Sequence, residues 1–188
     1  MAQNNVSHKF RTGITPEQFM KGMHHNKDEF QSWYDQFVWT EEEREFFESL
    51  NFRDDIRVLI LAADWCGDVV RNIPVVFHAL EVSGFPVEVL ILEENFDLMD
   101  EFLTMGGRSV PIVIFADTGG HVMGQWGPRP TKVQEVMVQF KQDNPDREAA
   151  DYQDHLMEAR KEILARYGEG TEYHHVILSE LRELISGL

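Results

Sequence analysis

The chain has 188 residues, 43% hydrophobic and 27% charged, and its 17 Lys and Arg against 33 Asp and Glu leave a formal charge of −16. This balance fits a soluble globular unit with a core, and it argues against nucleic-acid or anionic-membrane binding, both of which need basic surface. A single cysteine excludes an internal disulfide; with no apolar signal core in Met1–His8 and no run near the length of a membrane span, a reducing cytoplasm is the expected compartment.

Residues 1–13 read as a loose terminus. Thr15-Pro16-Glu17-Gln18 is a helix start: Thr15 caps, Pro16 suits the first turn and Gln18 reaches back. Phe19, Met23, Phe30, Trp33 and Phe37 follow at near-helical spacing, with a break near His24-His25-Asn26. Thr40-Glu41-Glu42-Glu43 is a second capping box, leading into Phe46, Phe47 and Leu50. The first fifty or so residues are therefore expected to be helical.

Arg57 to Ala62 is a short apolar run rich in Val and Ile, which predicts a buried strand. Gly67 to Ser83 carries Val69, Ile73, Val76, Phe77 and Leu80 on one face and predicts a helix ended by Gly84, with Pro74 inside it expected to bend it. Val87 to Leu92 is a second strand. Asn95 or Asp97 opens a short helix closed by Gly106-Gly107. Ile112 to Phe115, a turn at Asp117-Thr118-Gly119-Gly120, and His121 to Trp126 read as a hairpin. After the rigid loop Gly127-Pro128-Arg129-Pro130, Thr131 with Gln134 is expected to cap another helix. Asn144-Pro145 opens a long helical segment stopped by Gly168, and Thr171 caps a last helix with Ile177, Leu181, Leu184 and Leu188.

Chemistry concentrates in Leu59 to Val70. An apolar strand ends in a turn, and the lone Cys66 sits where the helix begins. A thiol at a helix N-terminus has its thiolate favoured by the helix dipole and the free N–H groups. Asp68, a like charge two residues on, opposes that effect unless it is paired, and Arg71 or Arg108 would assist it if near. Asp68 also reads simply as a carboxylate at a helix start. His24-His25 and His174-His175 are adjacent pairs, which point apart on a helix, and no H-E-x-x-H or Cys/His spacing occurs, so no metal site and no cofactor are expected. Gly106-Gly107 and Gly119-Gly120 read as helix-stop and hairpin glycines rather than a nucleotide loop. The aromatic stripe of Phe19, Trp33, Phe37 and Phe46 reads as core.

The order strand, helix, strand, helix, strand, strand, helix over residues 55–141 resembles the thioredoxin fold. Two motifs carry the resemblance: Ala63-Asp64-Trp65-Cys66-Gly67, like the stem of the family's W-C-G-P-C site, and Arg108-Ser109-Val110-Pro111, like the loop that holds its cis-proline. Cys66 and Pro111 stand 45 residues apart, close to the family's usual separation. Trp-Cys-Gly-Asp and the Gly-Pro-Arg-Pro loop look most like a bacterial subfamily carrying W-C-x-D-C. The resemblance implies an α/β thioredoxin-like fold: a central mixed four-stranded sheet flanked by helices, with helical extensions at both ends. The expected division is 1–54 N-terminal extension, 55–141 core and 142–188 C-terminal extension.

Three departures limit what the resemblance implies. Val69 stands where a dithiol thioredoxin has its second cysteine, Asp68 replaces the intervening proline, and Ile60 stands where many thioredoxins carry a buried acid. Cys66 is left as the one candidate nucleophile, with Trp65, Gly67, Asp68, Val110 and Pro111 as the candidate substrate-binding residues and a cis Val110–Pro111 bond implied by the family. Two functions follow. One is a monothiol thiol-disulfide oxidoreductase that takes a protein disulfide or a low-molecular-weight thiol through mixed disulfides, with an expected Cys66 pKa below the ordinary thiol value. The other is a redox-inactive module that binds a peptide or partner in the groove of Trp65, Val110, Pro111 and Gly127-Pro128.

Overall fold

A computed structural model describes residues 4–188 and orders them around one mixed sheet. Three N-terminal helices, α1 (Pro16–Gly22), α2 (Lys27–Asp35) and α3 (Glu41–Glu48), precede strand β1 (Ile56–Ala62). Helix α4 (Gly67–Ser83), strand β2 (Val87–Ile91) and the short α5 (Phe96–Met99) follow. The hairpin of β3 (Ile112–Asp117) and β4 (Val122–Trp126) leads to α6 (Thr131–Asp143), α7 (Tyr152–Tyr167) and α8 (Glu172–Ser186). The strands lie in the order β2-β1-β3-β4, with β1 parallel to β2 and the other pairs antiparallel. This is the α/β architecture expected from the sequence.

The local signals explain most boundaries. Thr15 and Thr40 each accept from the backbone N–H three residues on, while Gln18 and Glu43 return a side-chain oxygen to the cap N–H, so both capping boxes are complete. The predicted break falls at Asn26, which takes a left-handed φ of 55° before α2. Helix α4 runs unbroken through Pro74 and stops at left-handed Gly84. Because Ile56–Ala62 is buried on both faces, its apolar residues need not alternate.

Three expectations are corrected. Asn4 to Gly13 is not loose: Val6 is buried and its N–H bonds the Gly120 carbonyl, and Ile14 exchanges two backbone bonds with Val89, covering the exposed edge of β2. Residues 1–3 of that segment lie outside the described residues. The long helix after Asn144-Pro145 begins only at Tyr152, because Asn144 turns back to close α6 through the Phe140 carbonyl. Neither Thr131 nor Thr171 caps with its side chain; the α6 start is satisfied instead by Glu180 of α8, whose carboxylate accepts from the Thr131 N–H at 2.8 Å.

Both ends of the chain enter the same hydrophobic core as the sheet. Phe19 of α1, Phe30 of α2 and Phe77 of α4 meet with ring centroids 5.9–6.2 Å apart. Each such aromatic pair contributes about 0.5–1.5 kcal/mol beyond its buried area. Ile177, Leu181 and Ile185 of α8 are buried in the same cluster. Among the described residues no helix is long and apolar enough to cross a membrane.

Candidate functional site

Cys66 occupies the last non-helical position before α4, where β1 turns out of the sheet. The turn is held from outside the predicted motif. The Asp64 carboxylate accepts from the backbone N–H groups of His24 and His25 at 2.7 and 3.1 Å, and Asn26 Nδ2 donates to the Asp64 carbonyl at 3.0 Å. Burial by itself would raise the Asp64 pKa, but the two backbone donors and the His25 imidazole outweigh it and hold the carboxyl below its usual range. The break between α1 and α2 thus clamps the stem of the cysteine turn, which no motif in the sequence announces.

The structure brings Cys66 and the Val110-Pro111 loop together. The Val110–Pro111 bond is cis, and Cys66 Sγ donates to the Val110 carbonyl oxygen at 3.3 Å. A second cis bond, Gly127–Pro128, lies behind the loop. Gly127 has φ 115°, and a Cβ there would collide with the Pro111 carbonyl oxygen, so the close approach of the two loops requires glycine. Asn72, buried in α4, donates to the Pro128 carbonyl at 3.1 Å and fixes that second loop. Gly67 is the exposed first residue of α4. Trp65 is 53% exposed beside the sulfur, and its indole N–H is donated to Glu93 Oε1. Val69 and Ile60 are both wholly buried in the hydrophobic core.

Asp68 is the centre of a network that the sequence conceals. Arg129, from the loop after β4, reaches Asp68 Oδ2 at 2.7 Å and Oδ1 at 2.9 Å, with both side chains mostly buried. Tyr167, from the end of α7, donates its hydroxyl to Asp68 Oδ1 at 2.9 Å and accepts from Asn72 Nδ2 at the same distance. Burial, reinforced by Asp68, holds the Tyr167 hydroxyl protonated far above the usual phenol range. The expected helpers of a thiolate are elsewhere engaged. Arg108 forms a two-pronged pair with Asp100 at 2.7 and 2.9 Å, and Arg71 lies over the rings of Trp33, Tyr167 and Tyr173 while donating to the Gly168 carbonyl.

The expected low thiol pKa is overturned. Burial pushes the Cys66 thiol up, and the charge of Asp68 adds to it; the backbone N–H groups of Val69 and Asp68 and the charge of Arg129 act the other way but are outweighed. The helix-start donors thus act as expected on the thiolate. They lose because the sulfur sits under the cis-proline loop and beside a carboxylate, so the resting site holds a neutral thiol that donates to Val110.

A cleft of about 460 Å³ opens over the sulfur. It is lined by Trp65, Cys66 and Asp68 of the cysteine turn and α4, by Ser109 and Val110 of the cis-proline loop, and by Ile163, Leu164 and Tyr167 of α7. Helix α7 therefore contributes to the wall of the groove.

The comparisons with known proteins follow the same outline. The profile of a family described as Thioredoxin matches residues 13–152, which takes in the N-terminal helices as well as the sheet. A search of curated proteins finds no match. A solved protein of unknown function from Pseudomonas aeruginosa superposes with a TM-score of 0.70 at 16% identity, covering 100% of this chain and 99% of that one. An HIV epitope-scaffold superposes with a TM-score of 0.67 at 15% identity, covering 98% of this chain and 99% of its own. At these identities the likeness is one of fold, and it includes the terminal helices.

Proposed function

The chain belongs to the thioredoxin family, and from that premise we propose that it is a monothiol thiol-disulfide exchange protein acting through Cys66, a W-C-x-D-C variant in which Val69 replaces the second cysteine. The observation that carries this reading is the placement of Cys66 Sγ 3.3 Å from the Val110 carbonyl beside cis-Pro111, in the lining of an open cleft. Trp65, Gly67, Asp68, Val110 and Pro111 are the proposed contacts for the substrate.

The chemistry needs one sulfur and two partners. Cys66 gives its proton to solvent, and the thiolate attacks one sulfur of R–S–S–R′. The Cys66–S–S–R bond forms as the old S–S bond breaks, and R′–S⁻ leaves and takes a proton from water. Two electrons pass from the attacking thiolate to the departing sulfur. With Val69 in place of a resolving cysteine, release falls to an external thiol R″–SH. It attacks the R sulfur, forms R–S–S–R″ and returns Cys66. The high thiol pKa makes thiolate scarce at neutral pH, although each thiolate that forms is intrinsically more nucleophilic.

The raised Cys66 pKa and the absence of a second cysteine at Val69 favour a second reading, a redox-inactive groove that binds a peptide or partner. Intact-mass measurement after incubation with bis(2-hydroxyethyl) disulfide separates the two. The exchange reading expects one adduct on Cys66, faster as pH rises from 7 to 9, reversed by free thiol and absent in Cys66→Ser. No adduct at pH 9 leaves the binding reading. Val69→Cys supplies the missing half: on the exchange reading it gains insulin-disulfide reduction that the parent chain lacks.

A further inference from the structure

In a chain of net charge −16, the cleft over Cys66 is lined by four arginines, Arg71, Arg108, Arg129 and Arg160, against two carboxylates, Glu29 and Asp68. Arg129 is neutralised by Asp68, and Arg108 by Asp100 at the cleft edge. Arg71 and Arg160 form no ion pair among the described residues, and with Glu29 the one carboxylate left against them, the cleft keeps an excess of one positive charge. Arg71 is held in place by three aromatic faces and the Gly168 carbonyl, an arrangement that orients its guanidinium without cancelling its charge. Arg160 stands exposed on α7, on the same wall as Ile163 and Leu164. A cleft of about 460 Å³ is within the range of small-molecule sites, which begins near 300 Å³.

We infer that this cleft selects low-molecular-weight thiols and disulfides that carry carboxylates, with exposed Arg160 receiving a carboxylate and Arg71, held by its three aromatic faces and the Gly168 carbonyl, adding positive charge, while the ligand's sulfur meets Cys66. The inference rests on the exchange reading for its chemistry, but the anion recognition itself does not need a reactive sulfur. Guanidinium groups suit carboxylates because their planar donors match two oxygens at once. The remainder of the surface, being acidic, repels such a ligand; local arginines therefore have to reverse the overall field. The wall that carries Arg160 belongs to α7, which gives that addition to the sheet a role in choosing the ligand.

The test compares three disulfides of different charge, glutathione disulfide, bis(2-hydroxyethyl) disulfide and cystamine, each rate being divided by that of the same disulfide with a free small thiol at the same pH, which removes the differences in leaving-thiol pKa. Adduct formation on Cys66 at low salt is expected fastest with glutathione disulfide and slowest with the dication cystamine. The ratio of the first to the neutral disulfide should fall about two- to fivefold in Arg160→Gln, the effect of one exposed charge, and should fall in the parent chain as salt is added. Arg182→Gln, remote from the cleft and paired with Glu42, controls for net charge and should leave the ratio where it was. In parallel, S-methylglutathione is titrated into Cys66→Ser and followed by the fluorescence of the tryptophans. Binding that weakens in Arg160→Gln with no adduct in the parent chain keeps the anion site and removes the exchange reading. Adducts that form with no preference for the anionic disulfide, or with cystamine fastest, keep the exchange reading and overturn this one. Neither adduct nor binding overturns both.

Discussion

Tyr167 donates its hydroxyl to Asp68 at 2.9 Å across 99 residues of sequence, joining the end of α7 to the first turn of α4 one residue beyond the cysteine turn. The same oxygen accepts from Asn72, which also holds the Gly127-Pro128 loop. The C-terminal helices are therefore bonded to the groups that shape the site. Tyr167→Phe keeps the ring and removes both bonds while Arg129 still neutralises Asp68. Because one bond is to a carboxylate in a largely buried place, the expected loss is about 1.5–3 kcal/mol, read by urea unfolding. A loss within error would mean that ring packing alone docks α7.

Asp68 sets the thiol as well as the helix. Its charge is the second cause, after burial, of the high Cys66 pKa, and Arg129 opposes it. Asp68→Asn removes the opposing carboxylate and leaves the Arg129 charge acting on the sulfur. The pH profile of alkylation by iodoacetamide should then move to lower pH, and the rate at pH 7 should rise severalfold, since more of the thiol is ionised there. An unmoved profile would assign the high pKa to burial alone.

The sheet, the capping boxes and the cysteine turn were legible because their causes are local. Thr15 with Gln18 and Thr40 with Glu43 act over three residues, and the apolar run Leu59-Ile60-Leu61-Ala62 needs no partner to be recognised as a buried strand. Trp65-Cys66-Gly67 and Val110-Pro111 were readable as a pair only through a family resemblance; nothing in the 45-residue gap says that the two meet. What went unread has distant causes. Arg129 lies 61 residues from Asp68, and Tyr167 lies 99 from it, so no periodicity connects them. The thiol pKa departs from the expectation for the same reason: the favourable helix-start donors are local, whereas burial under the Val110 loop, the largest cause of the rise, arises only on folding. The loose reading of the N-terminus failed because Val6 and Ile14 pair with backbone far along the chain, at Gly120 and Val89.

His174 brings pH into the docking of α8. It is 1% exposed among Trp33, Phe37 and Tyr173, with both ring nitrogens unpartnered, and burial first, then the charges of His175, His78 and Arg71, lower its pKa from 6.5 to about 4, with only Glu172 opposing. The unfolded chain binds the proton more tightly than the folded one. The contribution is therefore fully present above pH 6.5 and is lost as pH falls from 6.5 to about 4. A shift of this size corresponds to a loss on the order of 2–4 kcal/mol. His174→Phe should flatten the stability profile across that window relative to the parent chain; parallel profiles would place the acid sensitivity elsewhere.

Glu180 of α8 closes the start of α6 in place of the Thr131 and Gln134 cap expected from sequence. One carboxylate oxygen accepts from the Thr131 N–H at 2.8 Å, and the other accepts from the indole of buried Trp126 at 2.7 Å. Gln134 is drawn off to Arg129, at 2.8 Å, and so tightens the Asp68 network instead. Glu180 therefore does two tasks: its charge suits a helix N-terminus, and its second oxygen satisfies the donor of a largely buried indole. Glu180→Ala leaves the Trp126 N–H without an acceptor and uncaps α6, an expected cost of about 2–3 kcal/mol. Glu180→Gln retains one acceptor oxygen and can serve only one of the two donors, so its loss should be smaller but measurable. Equal stability of the alanine variant and the parent chain, by thermal and urea unfolding together, would mean that water replaces the carboxylate at both donors and that α8 is docked by its apolar face alone.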